Sequence, residues 1–432
     1  MTDPADSTSK PGSTSPATPA TPSRAVPALW MLVMITLAGT LAMHIFVPAL
    51  PIAGQALDAD NAQMQLTISV YILGLAIGQL FYGPLSDALG RRPALMLGML
   101  IYSVAGVVAW QAQSVEVLIA ARFFQAFGGC AGLALGRAMI RDTAAPDRAV
   151  QRLAVLNLVV AIGPALAPLV GTLLTATLGW RTVLLALCMM GIGNLLFVWR
   201  LMPETAKASG RVDAPRLARE YRTLVRSPAF IGYAIGGGCV TTAMFAFVAS
   251  APFIFVEQLG KPVSHVAFYL SALILSISLG NLVTNRTIHR IGLVRLMLSA
   301  SLLSLAGGIS MLVIVLSGWT SVVTFEASVL LFTFGVGMTG PTALTLAVGI
   351  NPKVVGSAAG LYGFAQMGIG ALCTALAGLG DNPALSTAIV LATAAVIGQI
   401  ALRTALRFDV HRFDVQGSDV QRGDSQAGRN VR

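Results

Sequence analysis

Apolar stretches of about 20 residues, the length at which a helix crosses a hydrocarbon core of roughly 30 Å, recur between residues 28 and 406. Short polar or basic segments separate them. Because a backbone in lipid must satisfy its hydrogen bonds within its own segment, the pattern predicts an all-α integral membrane protein. About twelve spans are predicted, at 27–49, 66–86, 94–111, 116–138, 153–176, 182–202, 229–254, 265–286, 293–317, 322–349, 356–379 and 384–406. The tenth is long enough to contain a tilt, a break or a buried loop.

A polar and basic segment after the sixth predicted span divides the chain into two halves of six spans each. The predicted organisation is a disordered N-terminal tail at 1–25, an N-terminal half at 26–203, a cytoplasmic linker at 204–228, a C-terminal half at 229–407 and a disordered C-terminal tail at 408–432. The tails contain too few apolar residues to form a core. A helical stretch is expected in the linker, around 216–226. Two such halves place a cavity at their interface, near the middle of the membrane.

The charges are few and lie mostly on one side. The chain is 55% hydrophobic and 11% charged, with a mean hydropathy of +0.77 and a formal net charge of +10. Lys and Arg are concentrated in the loops that share a face with both tails, so the positive-inside rule makes that face cytoplasmic. Topology and attraction to anionic lipid headgroups therefore explain the positive charge, and nucleic acid is not an expected partner.

The sequence offers no chemistry typical of an enzyme. Spans occupy almost the whole length, and there is no Gly-x-x-x-x-Gly-Lys-Ser/Thr loop to hold a nucleotide phosphate. The four cysteines, at 130, 188, 239 and 373, are widely separated, so they predict neither a disulfide nor a metal site. We expect them to be small packing residues.

Arg122 is a charged residue inside a predicted span. Arg122 falls within 116–138, and a charge in the membrane costs about 3 kcal/mol, so such a residue usually has a partner or a task. Alternatively, the side chain snorkels to the interface, because it lies less than two turns from the predicted start of the span.

The turn between the second and third predicted spans reads GPLSDALGRR, at 83–92. It resembles the loop motif Gly-x-Leu-x-Asp-Arg-x-Gly-Arg-Arg of the major facilitator superfamily, with Ala88 where that family usually has a basic residue. The matching positions are Gly83, Leu85, Asp87, Gly90, Arg91 and Arg92. The resemblance implies the major facilitator fold and a conformational latch, in which Asp87 contacts the start of the eleventh helix near Gly356 in the outward-facing state. The alternative is a helix cap with flanking arginines that set the topology.

Two further stretches resemble the twelve-span drug:proton antiporters of the bicyclomycin/chloramphenicol resistance group. In the fourth span the matching residues are Leu118, Arg122, Gln125 and Gly128. The resemblance gives Arg122 a part in proton coupling.

The fifth span carries the second of these stretches. Gly163, Pro168 and Gly171 match the antiporter signature Gly-x-x-x-Gly-Pro-x-x-Gly-Gly, and Ala167 and Thr172 replace two of its glycines. Glycine and proline would let this helix bend and pack closely on its partner in the other half. Ordinary packing of small residues is the alternative.

The first predicted span departs from that group. The group commonly has an acidic residue a few positions before Pro48, where this chain has His44. A histidine with its ordinary pKa near 6.5 exchanges protons over the range that a cell membrane presents. Two interpretations stay open. Either His44 replaces the carboxylate as the proton-binding group, with Arg122 tuning its affinity by charge repulsion, or it is a neutral side chain that makes one structural hydrogen bond.

The resemblance implies a proton-coupled antiporter that exports drugs or other amphiphilic small molecules across the bacterial inner membrane by alternating access. The proton gradient is its energy source, no cofactor is expected, and its partners are a small-molecule substrate, protons and the lipid bilayer. A monomer with both termini cytoplasmic is expected. The predicted cavity residues are Tyr71, Gln125, Phe245, Tyr362 and Gln366. The alternatives are a proton-coupled exporter or importer of one metabolite and a non-transporting membrane sensor.

Overall fold

The computed structural model describes residues 26–144, 146–206, 208–211 and 213–427. Within this part of the chain, twelve helices are long and apolar enough to cross a membrane. We number them spans 1 to 12, at Leu29–Leu57, Asn61–Leu89, Arg91–Trp110, Val115–Thr143, Gln151–Leu178, Trp180–Leu201, Pro228–Gln258, Val263–Ile291, Leu293–Leu316, Val322–Gly349, Val355–Ala377 and Pro383–Asp409. The predicted all-α fold and the predicted number of spans are confirmed. The predicted tail at 1–25 lies outside the described residues.

The helices that contain spans 5 and 12 are longer than the spans themselves. They run over Pro146–Leu178 and Pro383–Ala427. The sequence predicts a disordered tail from residue 408, whereas the backbone is helical as far as Ala427. Extending an existing helix adds one hydrogen bond per residue without a new nucleation step, so a polar segment continues an apolar span.

The linker contains a helix at Ala214–Val225, as the sequence predicts. The Asp213 carboxylate accepts a hydrogen bond from the backbone N–H of Arg216 at 3.0 Å and caps its first turn. Leu224 is buried with Phe230 of span 7, so this helix packs on the C-terminal half.

Span 1 is not one continuous α-helix. It consists of an α-helix at Leu29–Ile45, a 3-10 turn at Val47–Ala49 and a short α-helix at Leu50–Leu57. The sequence predicts an end at residue 49, which is wrong. Pro48 and Pro51 each lie at the start of a new helical segment, where the missing N–H breaks no hydrogen bond, so the span continues through both prolines.

Span 7 is also divided. Its parts are the α-helices Pro228–Thr242 and Met244–Pro252 and a π-helical segment at Phe253–Gln258. Span 10, where the sequence allows a tilt, a break or a buried loop, is a single α-helix with Pro341 inside it.

The same turn joins spans 2 and 3 and spans 8 and 9. Gly90 and Gly292 precede spans 3 and 9 with φ angles of 99° and 83°. Glycine adopts these angles without the steric cost that a Cβ brings. The two halves therefore repeat one backbone geometry at this position.

We call the side of the molecule that carries residues 203–227 and these two turns the linker face, and the other side the opposite face. Near the opposite face, hydrogen bonds join the two halves. Ser250 Oγ donates to Gln65 Oε1 at 3.0 Å in a buried contact, and Asn61 Nδ2 donates to Glu257 Oε2 at 2.8 Å.

Toward the linker face, direct contact between spans 2 and 11 ends early. Gln79 Nε2 donates to the Gly363 carbonyl at 3.4 Å. Beyond this bond, a Cβ built on Gly83 or on Gly356 would meet no neighbouring atom within 4 Å. The conformation is therefore one in which the opposite face is closed.

All four cysteines are buried, with free thiols. This matches the predicted packing role.

Candidate functional site around Arg122

Arg122 is completely buried in the N-terminal half. Its Nη2 donates to the carbonyl of Ala42 in span 1 at 2.8 Å, and its Nη1 donates to Gln125 Oε1 at 2.7 Å. The guanidinium carbon lies 4.1 Å from the ring centre of Tyr71 and 5.4 Å from that of Phe46, where aromatic faces attract a cation. The side chain has partners inside the bundle, so the snorkelling interpretation is wrong.

Residues of spans 1, 2 and 4 form this cluster. Arg122 and Gln125 are three residues apart and so lie on one face of span 4. The Tyr71 hydroxyl donates to the Gly39 carbonyl at 2.6 Å, which fixes the ring beneath the guanidinium. Arg122 Nε and Gln125 Nε2 are buried and have no hydrogen-bond partner among the described residues. Because an unpaired buried donor is costly, these two groups are suited to bind an acceptor that enters the site.

His44 lies on the same segment of span 1, two residues after Ala42. It is 9% exposed, and its Nδ1 lies 3.0 Å from the carbonyl of Thr40. Among the described residues Nε2 has no hydrogen-bond partner. The ring centre is 6.4 Å from that of Phe245 in span 7, so His44 faces the other half. The bond to Thr40 is what a structural histidine requires and leaves one nitrogen for a proton, so both interpretations stay open.

Three predicted cavity residues lie in the C-terminal half, where spans 7 and 11 meet. Gln366 Nε2 donates to Thr241 Oγ1 at 2.7 Å. Tyr362 is 2% exposed and packs against Gly237, where an added Cβ would lie 2.2 Å from the tyrosine hydroxyl. Phe245 lies on the same side of span 7 and faces His44.

The five predicted cavity residues therefore form two groups, one in each half. Tyr71, Gln125 and Tyr362 are almost completely buried in this conformation. The structure has surface grooves at other places, one of about 370 Å³ between spans 3 and 6 and one of about 410 Å³ beside the linker-face ends of spans 10 and 11. That the five residues line a substrate cavity stays a prediction.

The glycines of the span 5 signature pack against span 1. A Cβ on Gly171 would lie 1.9 Å from the carbonyl oxygen of Ile45, and one on Gly163 would lie 2.5 Å from Leu37 Cδ2. The predicted partner in the other half is therefore wrong for these two residues. Span 5 meets the other half at Ala165, whose carbonyl accepts a hydrogen bond from Ser271 of span 8 at 2.7 Å.

Helix geometry explains this correction. Ala165 is two residues after Gly163, about 200° around the helix, so the glycines and the contact with span 8 lie on different sides. Pro168 lies inside the helix, together with Pro164.

The loop motif forms a chain of ion pairs. Arg91 binds Asp87 at 2.7 Å and Asp142, at the end of span 4, at 2.9 Å. The Asp87 side chain is 67% exposed, and its ion-pair partner is Arg91 of its own motif. Asp87 therefore pairs within its own motif in this conformation, and its contact with the start of span 11 stays a prediction.

The sequence analysis missed Glu204, just after span 6. Its two carboxylate oxygens accept hydrogen bonds from the backbone N–H groups of Arg91 and Arg92 at 2.9 and 3.1 Å. Arg92 also donates from Nη2 to the carbonyl of Trp199. A carboxylate at a helix N-terminus satisfies unpaired donors and the helix dipole, so Glu204 ties span 6 to the start of span 3. The sequence contains no signal for this contact beyond an acidic residue at the end of a span.

The sequence analysis also missed Glu326, in the second turn of span 10. Both of its carboxylate oxygens are buried, and neither has a hydrogen-bond partner among the described residues. A signal was present, since Glu326 is the fifth residue of the predicted span 322–349. The other acidic residue in a predicted span, Glu116, is the first residue of its span.

Comparison with known proteins places these features in one family. The Major Facilitator Superfamily model matches residues 32–375. The chain is 32% identical over 357 residues to multidrug resistance protein D of Escherichia coli (strain K12), covering 81% of this chain and 88% of that protein. It is 24% identical over 339 residues to the bicyclomycin resistance protein homolog of Haemophilus influenzae, covering 77% of this chain and 84% of the relative.

The fold is similar to that of solved transporters. A crystal structure of a D-xylose-proton symporter superposes with a TM-score of 0.68 at 15% identity, covering 86% of this chain and 96% of that one. With the twelve spans, the motif residues and the matching family model, these findings show that the chain is a multi-pass membrane protein that belongs to the Major Facilitator Superfamily.

Proposed function

We propose that this protein is a proton-coupled antiporter that exports drugs or other amphiphilic small molecules across the bacterial inner membrane. The observation that carries the proposal is the 32% identity to a multidrug resistance protein over 81% of the chain. The site adds a buried arginine with an unpaired donor beside the interface of two six-span halves, which suits a binding cavity that opens and closes.

Alternating access is supported by the uneven contacts between the halves. A buried hydrogen bond between Ser250 and Gln65 and an exposed one between Asn61 and Glu257 join them near the opposite face. At the linker face, Asp87 pairs with Arg91 of its own motif. In the reverse state, these bonds would open and Asp87 would dock at the N-terminus of span 11. A ligand moves such an equilibrium only through its different affinities for the two states.

The linker face is cytoplasmic in this proposal, because the basic loops, the start of span 1 and the end of span 12 lie on that side. Bacterial relatives support the inner membrane as the location. The functional unit is a monomer, since each polypeptide contains both halves.

The proposed proton-binding group is His44, with Arg122 as the fixed positive charge that tunes it. Arg122 binds the carbonyl of Ala42, two residues before His44, so movement of span 1 changes the surroundings of both side chains together. In this proposal the fixed charge of Arg122 disfavours protonation of His44 until the substrate leaves or the cavity is rehydrated.

Proton movement in inverted membrane vesicles tests the proposal. We would acidify the vesicle interior and add chemically diverse drugs one at a time to the parent protein and to His44→Gln. The matched control is His265→Gln, because His265 is exposed near the opposite face and takes no part in the site. We expect several drugs to discharge the gradient with the parent and with His265→Gln, and at least tenfold less with His44→Gln.

Discharge by His44→Gln at the parent rate would remove His44 from the coupling mechanism and leave antiport intact. Discharge by one compound alone would favour an exporter of a single metabolite. No discharge by any drug, from parent protein shown to be folded, would contradict the proposed function.

A further inference from the structure

Spans 3 and 6 are in close contact near their middles and leave a groove between them on the side of the linker face. A Cβ added to Gly191 of span 6 would lie 2.5 Å from Tyr102 Cδ1 of span 3, and one added to Gly106 would lie 3.1 Å from Cys188 Cα. Glycines let two helices approach this closely in a membrane. In the turns nearer the linker face, larger side chains hold the two helices apart, and the groove of about 370 Å³ lies there.

The walls of this groove are apolar and partly open to the membrane. They are formed by Met96, Leu97, Leu100, Leu195, Leu196 and Trp199. Three of these leucines and Trp199 are each more than one third exposed. From Arg92 to Leu100 the groove extends over eight residues of span 3, or about 12 Å along the helix axis. That is little more than two helical turns, so the groove suits a hydrocarbon chain better than a partner helix.

Arg92 lies at the linker-face end of the groove. It precedes Met96 by four residues and so lies on the same side of span 3. Its Nη2 donates to the carbonyl of Trp199, which joins the two helices above the groove. Its Nε is buried and has no hydrogen-bond partner among the described residues. Because an unpaired buried donor is costly, Nε is suited to bind an acceptor from outside the chain.

Arg200 adds a second cation at the same end. Its guanidinium carbon is 4.9 Å from the ring centre of Trp199, and the side chain is exposed. Among the described residues, no ion pair includes Arg92 or Arg200. The Glu204 carboxylate accepts from four backbone N–H groups, two of them at the start of span 3. Main-chain donors thus occupy this carboxylate, and both guanidinium groups are left for another anion.

We propose that the groove between spans 3 and 6 is a binding site for one anionic phospholipid. The lipid phosphate binds Arg92 and Arg200, and an acyl chain lies along the groove against Trp199. Basic pockets between spanning helices select anionic headgroups by charge, and the apolar walls require the attached chain. The site joins the two spans that Glu204 also joins, and it does not depend on the proposed transport activity.

Quenching of Trp199 by brominated lipid tests this site, because bromine on an acyl chain quenches a tryptophan that it touches. We would place the protein in phosphatidylcholine nanodiscs with an increasing fraction of brominated phosphatidylglycerol. A series with brominated phosphatidylcholine gives the reference without preference. The part of the quenching that disappears in Trp199→Phe belongs to Trp199.

We expect the parent to prefer phosphatidylglycerol about thirtyfold at Trp199, since each arginine near an anionic headgroup contributes about fivefold. In Arg92→Gln/Arg200→Gln the preference disappears. The matched control is Arg286→Gln/Arg290→Gln, which removes two exposed arginines at the linker-face end of span 8 and keeps the parent preference.

Three results would overturn the inference. The first is a parent without preference at Trp199. The second is an equal loss of preference in both double variants, which would show ordinary attraction to the surface charge. The third is displacement of brominated phosphatidylglycerol by inorganic phosphate, because the arginines would then bind the anion without the groove.

A single variant serves if Arg92→Gln/Arg200→Gln does not fold. Arg200 is exposed, and Arg200→Gln leaves the bond between Arg92 and the Trp199 carbonyl in place. We expect its preference for phosphatidylglycerol to fall about fivefold. An unchanged preference in Arg200→Gln would contradict the proposed headgroup site.

Discussion

Arg122 in the N-terminal half and Glu326 in the C-terminal half both have buried polar atoms, but the surroundings of the two side chains differ. Arg122 in span 4 binds the Ala42 carbonyl and Gln125 and stacks on Tyr71, while Glu326 in span 10 has no partner. A guanidinium keeps its charge at any physiological pH, so the protein must provide fixed acceptors for it. A carboxyl group can become neutral instead. Arg122 is therefore a permanent charge with fixed partners, whereas Glu326 can lose its charge.

Removing the permanent charge should have the largest effect. Arg122→Met loses two hydrogen bonds to a charged group and leaves the Ala42 carbonyl and the Gln125 amide unpaired. We expect the free energy of unfolding to fall by about 3 kcal/mol and drug transport to fall at least tenfold. Unfolding in mixed detergent micelles and transport in vesicles measure the two effects.

The matched substitution in the other half is Glu326→Met. Because it removes an unpaired polar group, it should leave stability unchanged or raise it. Equal losses of stability for Arg122→Met and Glu326→Met would show that the two halves do not differ in the way described.

A substitution in span 5 should disturb the Arg122 site indirectly, by displacing span 1, without changing any contact of span 10. Gly171→Val puts a side chain where the Ile45 carbonyl lies, so span 1 must move away together with Ala42 and His44. We expect a loss of about 2 kcal/mol in stability and about tenfold in transport, since overpacking typically costs 1–3 kcal/mol. Thermal unfolding and drug efflux are the measurements.

Gly193→Val is the control for this change, because a Cβ at Gly193 in span 6 meets no neighbouring atom within 4 Å. Wild-type behaviour of Gly171→Val would show that span 5 is free to shift, and the coupling of its glycines to Arg122 would be rejected.

The smallest expected effect is that of pH on the linker helix, through Glu220, a carboxylate that has hydrogen-bond and ion-pair partners. Glu220 in the linker helix accepts from the Ser357 hydroxyl and pairs with Arg216, which hold its pKa below the usual 4.5. Because the pKa of Glu220 is lower in the docked linker than in the unfolded chain, the ionised carboxylate stabilises docking at pH values above 4.5. This stabilisation disappears as the pH falls below 4.5. We expect amide protection of the linker helix to drop about twofold in that range, or roughly 0.5 kcal/mol.

Hydrogen exchange of the segment 214–225, corrected for intrinsic rates, measures this change. Glu220→Gln should show the reduced protection at every pH, and Glu116→Gln should behave as the parent. If Glu220→Gln retained the pH dependence, another group would be responsible for it.

Much of the fold is visible in the sequence, because twelve apolar runs and a basic linker determine the number of helices and the division into halves. Arg122 is also visible, as the one basic residue within a predicted span that also matches a family motif. The partner of Arg122 in span 1 cannot be predicted from the sequence, because the acceptor is the backbone carbonyl of Ala42 and every residue has such a carbonyl. The bond depends on how closely spans 1 and 4 approach.

The errors have similar causes. The sequence identifies the glycines of span 5 as a close contact, but which helix they meet is decided by packing across positions far apart in the chain. Pro48 and Pro51 indicate an end to span 1 when read locally, whereas each begins a new segment. Glu326 lies near the start of a span, where a glutamate usually reaches water, and the sequence does not show that both of its carboxylate oxygens are buried.

The linker acts as a short tether between the halves. Ser209 and Gly210 donate backbone hydrogen bonds to the Asp87 and Ala88 carbonyls of the N-terminal half, and the helix from Ala214 packs on the C-terminal half. Four residue steps from Gly210 to Ala214 reach at most about 14 Å. The linker face can therefore widen only until these steps are fully extended. If the halves rock as proposed, further widening has to detach one anchor, so the length of the three intervening residues limits how far the linker face opens.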